Sequence, residues 1–266
     1  MTPEAIADAA RRLADAERMR RQIGLLSRQY PAMTLDDAYA VQAAYVALRL
    51  AETGRRRIGW KIGLTSRAMQ AALGITTPDS GVLLDDMAFE DGATIPRGRF
   101  IAPRIEAELA FVFHAPLRGA VSPAQVLDAA AWVMPALEIL DTRIHRTDPE
   151  TGRPRTIVDT VADNAANAGI VTGGRPMRPE GVDLRWCGAI VARNGVVEET
   201  GLGAGVLNDP LRGIAWLSAR LAAYGGAIAP GEIVLAGSFI RPVECPPGTT
   251  ITADFGPLGT LAAHFE

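Results

Sequence analysis

The sequence predicts an α+β protein, with a helical part over residues 1–55 and a β-rich core over residues 56–266 whose mixed sheet is barrel-like. Three observations predict it. The first 55 residues carry two helix-start signals and apolar side chains at helical spacing. From residue 56 the chain breaks into short β-type runs punctuated by glycine and proline. Two helical stretches interrupt those runs, and many short strands with few helices fit a barrel or a folded sheet.

The elements follow in order. Thr2 caps a helix over residues 3–29, Pro3 occupies its first turn, and Tyr30-Pro31 ends it. A second helix starts at Thr34, where T-L-D-D offers a capping box, and closes at Gly54. Leu35, Ala38, Tyr39, Tyr45 and Val46 form its apolar stripe, interrupted by Gln42. The β-type runs are IGWKIGL, VLL, RIEAELAFVF, VMPALEIL, WCGAIVARNG, VVEETG, EIVLAG, TITADFG and TLAAHF. Asn194-Gly195 signals a hairpin between two of them. One intervening helix follows Ser122-Pro123 through VSPAQVLDAAAWV, and the other runs from Pro210 to Tyr224, where Gly225-Gly226 stops it.

Composition narrows the function. The chain is 48% hydrophobic and 21% charged, an ordinary globular balance. Its net charge is −3 and it has no basic stripe with interleaved aromatics, which argues against nucleic acid as a partner. Cys187 and Cys245 are far apart and form no CxxC pair, so they read as buried small hydrophobes instead of a disulfide or a zinc site. The N-terminal stretch is charged throughout, and no apolar run is long enough to span a bilayer, so no membrane partner and a cytoplasmic location are expected. The absence of GxSxG, a P-loop and a GxGxxG opening a helix removes the common hydrolase, NTPase and Rossmann readings.

The run from Arg104 to Phe113 alternates, so Arg104, Glu106 and Glu108 share one face. Carboxylates so placed repel each other unless water or a cation intervenes. A solvated polar face is the plain alternative, but the same face continues with Ala110 and Val112. Glu138 lies among Met134, Pro135, Ala136, Leu137, Ile139 and Leu140, and a glutamate in so apolar a run needs a partner. Three such carboxylates facing one another would suit a hard cation, Mg²⁺ or Mn²⁺.

Lys61 is the single lysine among 27 basic residues. Something at that position excludes arginine, and an ammonium is a compact charge that can change its protonation state. The plain alternative is an edge-strand lysine with its head in water. Near a metal-bound 2-oxo acid it would stabilise an enolate oxygen or form a Schiff base, and the residues leave both open. Asp79, in T-P-D-S-G, reads as a turn former or as a proton carrier. The segment 145–155 carries His145, Arg146, Arg153 and Arg155 with two prolines and a glycine, and reads as a loop. It follows directly on the Glu138 strand and is expected near the metal as a lid; were the substrate to carry a second, distal carboxylate, one or more of its arginines would hold it. Solvated loop arginines are the plain alternative.

Taken in order, G-W-K-I-G-L-T-S, P-D-S-G-V-L-L-D-D-M, P-R-I-E-A-E-L-A-F-V, P-A-L-E-I-L-D and D-T-V-A-D-N-A-A-N-A-G resemble the hydratase/decarboxylase branch of the fumarylacetoacetate hydrolase superfamily. The stretches 145–155, W-C-G-A-I-V-A-R-N-G-V-V-E-E-T-G and G-S-F-I-R-P carry the resemblance on to the C-terminus. It implies a fumarylacetoacetate-hydrolase-like β-rich core behind an N-terminal helical part. It implies Glu106, Glu108 and Glu138 as metal ligands for Mg²⁺ and Lys61 as the active-site lysine; Asp79 is the second catalytic candidate, for moving a proton. Arg146, Arg153, Arg155, Asp159 and Ser238 are the candidate substrate-binding residues. The implied substrate is a small 2-oxo or 2-hydroxydienoic acid, the implied assembly a homo-oligomer. Trp60 stands where the resemblance also admits a histidine. The implied reaction is hydration of 2-hydroxyhepta-2,4-diene-1,7-dioate to 4-hydroxy-2-oxoheptane-1,7-dioate in aromatic catabolism. Its rivals are hydration of a five-carbon 2-oxopentenoate, decarboxylation of an oxalocrotonate-like acid, fumarylpyruvate-type C–C hydrolysis, and non-catalytic binding of a metal and a 2-oxo acid.

Overall fold

The structure is a computed structural model that describes every residue except 52–53, 68–69 and 72–74. Helix α1 (Pro3–Met19) starts as its signals require, the Ala5 N–H donating to Thr2 Oγ1 at 3.2 Å. It does not continue to residue 29. Arg20 adopts a left-handed conformation with φ of 54°, and Ile23 then bridges Ile144 in parallel fashion. That tertiary pairing takes the backbone bonds the helix would have used, and a separate short helix α2 (Leu26–Gln29) follows. Helix α3 (Leu35–Leu50) has the reciprocal Thr34–Asp37 capping box. Gln42, which interrupts its apolar stripe, is buried and donates to Ser80 O at 2.8 Å and Val161 O at 2.9 Å. The polar interruption is therefore a tie between the helices and the core.

The strands are β1 (Arg57–Gly63), β2 (Asp79–Leu84), β3 (Ala88–Glu90), β4 (Ala93–Ile95) and β5 (Arg104–Phe113), then, after helix α4 (Pro123–Ala129), β6 (Ala130–Leu140). The helix expected through VSPAQVLDAAAWV is shorter because Ala130 and Trp132 already pair with β5. Helix α5 (Ile157–Ala162) and strand β7 (Asn167–Thr172) overlap the two ends of the stretch D-T-V-A-D-N-A-A-N-A-G. Then come β8 (Gly188–Arg193), β9 (Val196–Leu202), helix α6 (Pro210–Ala223), β10 (Ile233–Ser238), β11 (Val243–Glu244), β12 (Thr249–Asp254) and β13 (Thr260–Phe265).

These strands do not close into the expected barrel. They form two open mixed sheets, one ordered β2-β1-β10-β5-β6-β7-β3 with β11 added to β5, the other β4-β13-β12-β8-β9. The strands β2 and β3 end the larger sheet, and β4 and β9 end the smaller. The reason is physical: alternation reports which face of a strand is buried, and packed open sheets and a barrel share that pattern. It says nothing about which edges meet. One core joins the sheets, with Ile105, Leu109, Phe111, Leu137 and Ile139 packed with Val191, Ile251, Leu261 and Phe265. The helices α1 and α3 build a second core against Val82, Leu84, Met87, Ile144 and Val161.

Candidate active site

The antiparallel β5–β6 pair sets the centre of the site. Its register places Glu106 directly opposite Glu138. Glu108 lies two residues along β5, opposite Ala136 on one side and Ser238 on the other. Each of the three glutamates offers one carboxylate oxygen, and these oxygens all lie within 4.8 Å of one another. Glu108 and Glu138 are fully buried. Glu108 Oε2 accepts the Gly237 N–H at 2.7 Å, and Glu138 Oε1 accepts the Asn167 amide at 2.8 Å. Their other oxygens, Glu108 Oε1 and Glu138 Oε2, are sealed from solvent with no hydrogen-bond partner among the described residues.

Strand β1 brings Lys61 to the same place. Lys61 is 3% exposed, and its ammonium lies 3.4 Å from Glu138 Oε1. In the β1–β2 register Gly63 faces Asp79. A Cβ on Gly63 would collide with Asp79 Oδ1 and come within 3.1 Å of Lys61 Nζ. The missing side chain is thus what allows Asp79 and Lys61 to share one space. Both Asp79 oxygens are buried and unpartnered among the described residues. Trp60 alternates to the other face, where its indole N–H donates to Glu232 at 3.0 Å. It takes no part in the cluster.

Electrostatics follow from this crowding. Burial raises the pKa of Asp79, and Glu138 adds to the rise while Lys61 opposes it. Burial, then Glu138, pushes Glu106 up to about 8, although that residue keeps some solvent exposure. Glu108 is driven well above the carboxylate range by burial, then by Glu138 and Glu106. For Lys61 burial works downward, but Glu138, Asp79, Glu106 and Glu108 outweigh it and hold the ammonium charged. Four carboxylates facing one lysine leave three negative charges uncompensated if all ionise. Buried oxygens with free lone pairs, an all-oxygen donor set and excess negative charge together fit a hard divalent cation held by Glu106, Glu108 and Glu138.

The remaining sequence candidates divide. Arg155 is half-buried at the base of the 145–155 loop, with its Nη1 sealed and unpartnered among the described residues. Arg146 donates to Ala102 O at 3.0 Å, and Arg153 is exposed at the loop tip. Asp159 accepts from Ser27 N and Oγ at 2.8 and 2.6 Å and from Thr156 N and Oγ1 at 2.8 and 2.9 Å. Its carboxylate is taken up by bracing α2 against α5. Ser238 donates to Ile240 O at 2.8 Å within its own turn. Two contributors went without a role in the sequence. The Asn167 amide bond to Glu138 carries no local signal beyond its place in D-T-V-A-D-N-A-A-N-A-G. Gly237 does carry one, since a glycine inside a strand marks an irregularity, here the register shift between Leu235 and Ser238. A groove of about 720 Å³ lies elsewhere, between Trp186, Ile190, Leu202 and Phe255. It is mostly apolar and contains none of these groups, so the chemistry belongs to the carboxylate cluster.

Two packed open sheets with a three-carboxylate centre beside a buried lysine define a class: a candidate divalent-metal enzyme. No protein-family model matches the chain. It is 53% identical over 257 residues to 2-oxo-hept-4-ene-1,7-dioate hydratase of Escherichia coli, covering 96% of each chain. It is 36% identical over 263 residues to 4-oxalocrotonate decarboxylase of Pseudomonas putida, covering 98% of this chain and 97% of that one. The solved structure of 4-oxalocrotonate decarboxylase from Pseudomonas putida G7, complexed with magnesium and adipate, superposes with a TM-score of 0.93 at 35% identity, covering 100% and 99%. The chain belongs to the hydratase/decarboxylase branch of the fumarylacetoacetate hydrolase superfamily.

Proposed function

We propose that the chain is a Mg²⁺-dependent hydratase that converts 2-hydroxyhepta-2,4-diene-1,7-dioate to 4-hydroxy-2-oxoheptane-1,7-dioate in aromatic catabolism. One observation carries the reading: Glu106, Glu108 and Glu138 converge beside Lys61 in a chain 53% identical to a hydratase of a seven-carbon 1,7-dioate. Mg²⁺ held by the three glutamates would supply Lewis-acid polarisation of the 2-oxo group and a template for the adjacent carboxylate. The Lys61 ammonium stabilises negative charge on the C2 oxygen. Asp79 is the proton carrier of this proposal, and its raised pKa favours a carboxyl that holds a proton. It protonates C5 while the O2 proton passes to solvent and the C3–C4 double bond forms. Water then adds at C4, the Asp79 carboxylate takes the proton that water gives up, and C3 takes one proton back from solvent, so the sum is one added water.

The test is direct. With Mg²⁺ and the seven-carbon dienol, dienol absorbance should fall and the product should carry one added water. Chelator and Glu106→Gln should each abolish the reaction. Full activity in chelator would end the proposal. Decarboxylation has its own support in the TM-score of 0.93, and CO₂ release in place of water addition would establish it instead.

The proposal includes a homo-oligomer acting in the cytoplasm. No helix among the described residues is long and apolar enough to cross a membrane. Trp186 is 73% exposed and Ile190 50%, apolar surface of the kind that self-association covers. Light scattering at micromolar concentration measures the assembly, and a monomer would remove this part.

A further inference from the structure

The loop between β6 and α5 is a braced hairpin. Thr147 and Pro154 form a bridge, the Asp148 N–H donates to Arg153 O at 2.8 Å, and the Arg155 N–H donates to Arg146 O at 2.9 Å. Arg28 clamps its far end through Asp148 at 3.1 Å and Glu150 at 2.7 Å. The side chains at the hairpin base are therefore presented from held backbone.

Three arginines gather there. Arg146 reaches Ala102 O, two residues before Arg104, and Arg104 shares its face of β5 with Glu106 and Glu108. The crowding of like charge shows in Arg146, pulled down to about 10 by burial and then by Arg104 and Arg155. Two of the three have partners: Arg104 pairs with Glu244 at 2.6 Å, and Arg146 has Ala102 O. Arg155 differs. Its Nη1 is sealed from solvent and meets no acceptor among the described residues. The acidic groups around it are Asp163, Asp79 and Asp159. Asp163 is engaged by the Arg143 side chain and N–H, and Asp159 by Ser27 and Thr156. Only Asp79, on the active-site side, lacks hydrogen bonds. A buried guanidinium N–H with no acceptor is unfavourable, and a ligand carboxylate would satisfy it.

We infer that Arg155 receives the second carboxylate of a dicarboxylic substrate, with Arg146 and Arg104 adding positive field around it. The inference rests on the reading that the 2-oxo acid end sits at Glu106, Glu108 and Glu138. Of the three arginines, Arg104 lies two residues from Glu106 on one strand face, roughly 6–7 Å, a span comparable with the five-carbon spacer between the carboxylates of a seven-carbon diacid, and Arg155 faces the active site through Asp79. Arg155 is then the specificity-determining residue, separating 1,7-dioates from monocarboxylic dienoates.

The experiment uses Mg²⁺-loaded wild type, Arg155→Ala and Arg155→Lys. It measures kcat/KM for the seven-carbon dicarboxylic dienol and the five-carbon monocarboxylic dienol. Calorimetry of adipate and hexanoate runs in parallel. Arg155→Ala should lose roughly ten- to a hundredfold on the dicarboxylate and on adipate, with the monocarboxylates changed by less than about twofold. Arg155→Lys should recover only part, because an ammonium cannot make the paired bonds of a guanidinium. Equal losses on both substrates would overturn the inference, as would no loss on either. The two readings fail separately. If wild type hydrates neither dienol but Arg155→Ala selectively loses adipate, the carboxylate site stands and the hydratase proposal falls. If wild type hydrates the seven-carbon dienol and Arg155→Ala keeps the same substrate ratio, the hydratase stands and the Arg155 inference falls.

Discussion

Replacing Gly63 by alanine adds one methyl group to the most crowded point of the site. The new Cβ would lie 3.3 Å from Asp79 Cγ and 3.1 Å from Lys61 Nζ, and deep inside contact with Asp79 Oδ1. Asp79 must retreat by about 1 Å to restore ordinary packing at 3.5–4.0 Å. Its room to do so is small, because it is 1% exposed. A misplacement of about 1 Å in a reacting group costs roughly a hundredfold in rate. The fold should tolerate the change better than the chemistry, since a Gly→Ala substitution restricts the unfolded chain and gains about 0.4–1 kcal/mol that partly offsets the clash. The assay is kcat on the seven-carbon dienol, with thermal unfolding and circular dichroism on the same preparation. The expected result is a kcat lower by about two orders of magnitude at a Tm within a few degrees of wild type. A Gly63→Ala enzyme with normal kcat would refute the reasoning that Asp79 and Lys61 react from a shared space over Gly63.

The other predictions concern charge and bracing. Lys61→Arg should be nearly as harmful as Lys61→Ala: the side chain is 3% exposed and 3.4 Å from Glu138, so a branched guanidinium has no room there. Near-normal kcat for Lys61→Arg would make the lone lysine an accident, and borohydride trapping of a substrate adduct would replace the electrostatic role by a Schiff base. In chelator, stability should fall as pH rises from about 4.5 through about 8, because native Glu106 holds a proton that the unfolded chain has already lost. Mg²⁺ should reverse that slope by binding the deprotonated ligands, and Tm against pH with and without the ion measures both. A flat chelator profile would contradict the raised carboxylates. Asp159→Ala should cost roughly 1–3 kcal/mol of stability by leaving the Ser27 and Thr156 donors unpaired, with an equal effect on substrates of either length. A selective loss on the dicarboxylate would instead return Asp159 to substrate binding.

What the sequence made legible was local. The capping residues of α1 and α3, the stop of α6 and the alternation of β5 each depend on neighbours along the chain. What it left dark was pairing. The break after Arg20 exists because Ile23 meets Ile144, 121 positions away, and nothing near residue 20 announces that partner. The open sheets depend on edges that never meet. Strand β7 hid because Asn167, at its head, is polar for a reason outside the strand, its bond to Glu138. In the site, residue type spoke before geometry did. Glu138 in an apolar run required a partner, and the register places it opposite Glu106. Asp159 and Ser238 are bonded to their own surroundings, contacts that residue type alone does not announce, since polarity does not separate a cap from a ligand.

The charge count explains why the site is built from two opposite zones. Asp79, Glu106, Glu108 and Glu138 against Lys61 amount to three negative charges when ionised. A divalent cation reduces that to one, which leaves a pocket still unfavourable to a dianion. A monocarboxylic dienoate brings its only charge to the cation and meets no further demand. A 1,7-dioate brings a second carboxylate that would otherwise lie a few ångströms from the glutamates, where like charges interact strongly at low dielectric. Positive charge must therefore stand beyond the metal zone but within reach of the substrate's far end. On the inference drawn above Arg104, Arg146 and Arg155 supply it, and the pKa of Arg146, lowered by burial and then by Arg104 and Arg155, reflects how closely they lie. Such mutual repulsion among half-buried guanidinium groups is hard to explain as a gain in stability. An arriving carboxylate relieves it, so substrate charge and protein charge are each unfavourable alone and favourable together.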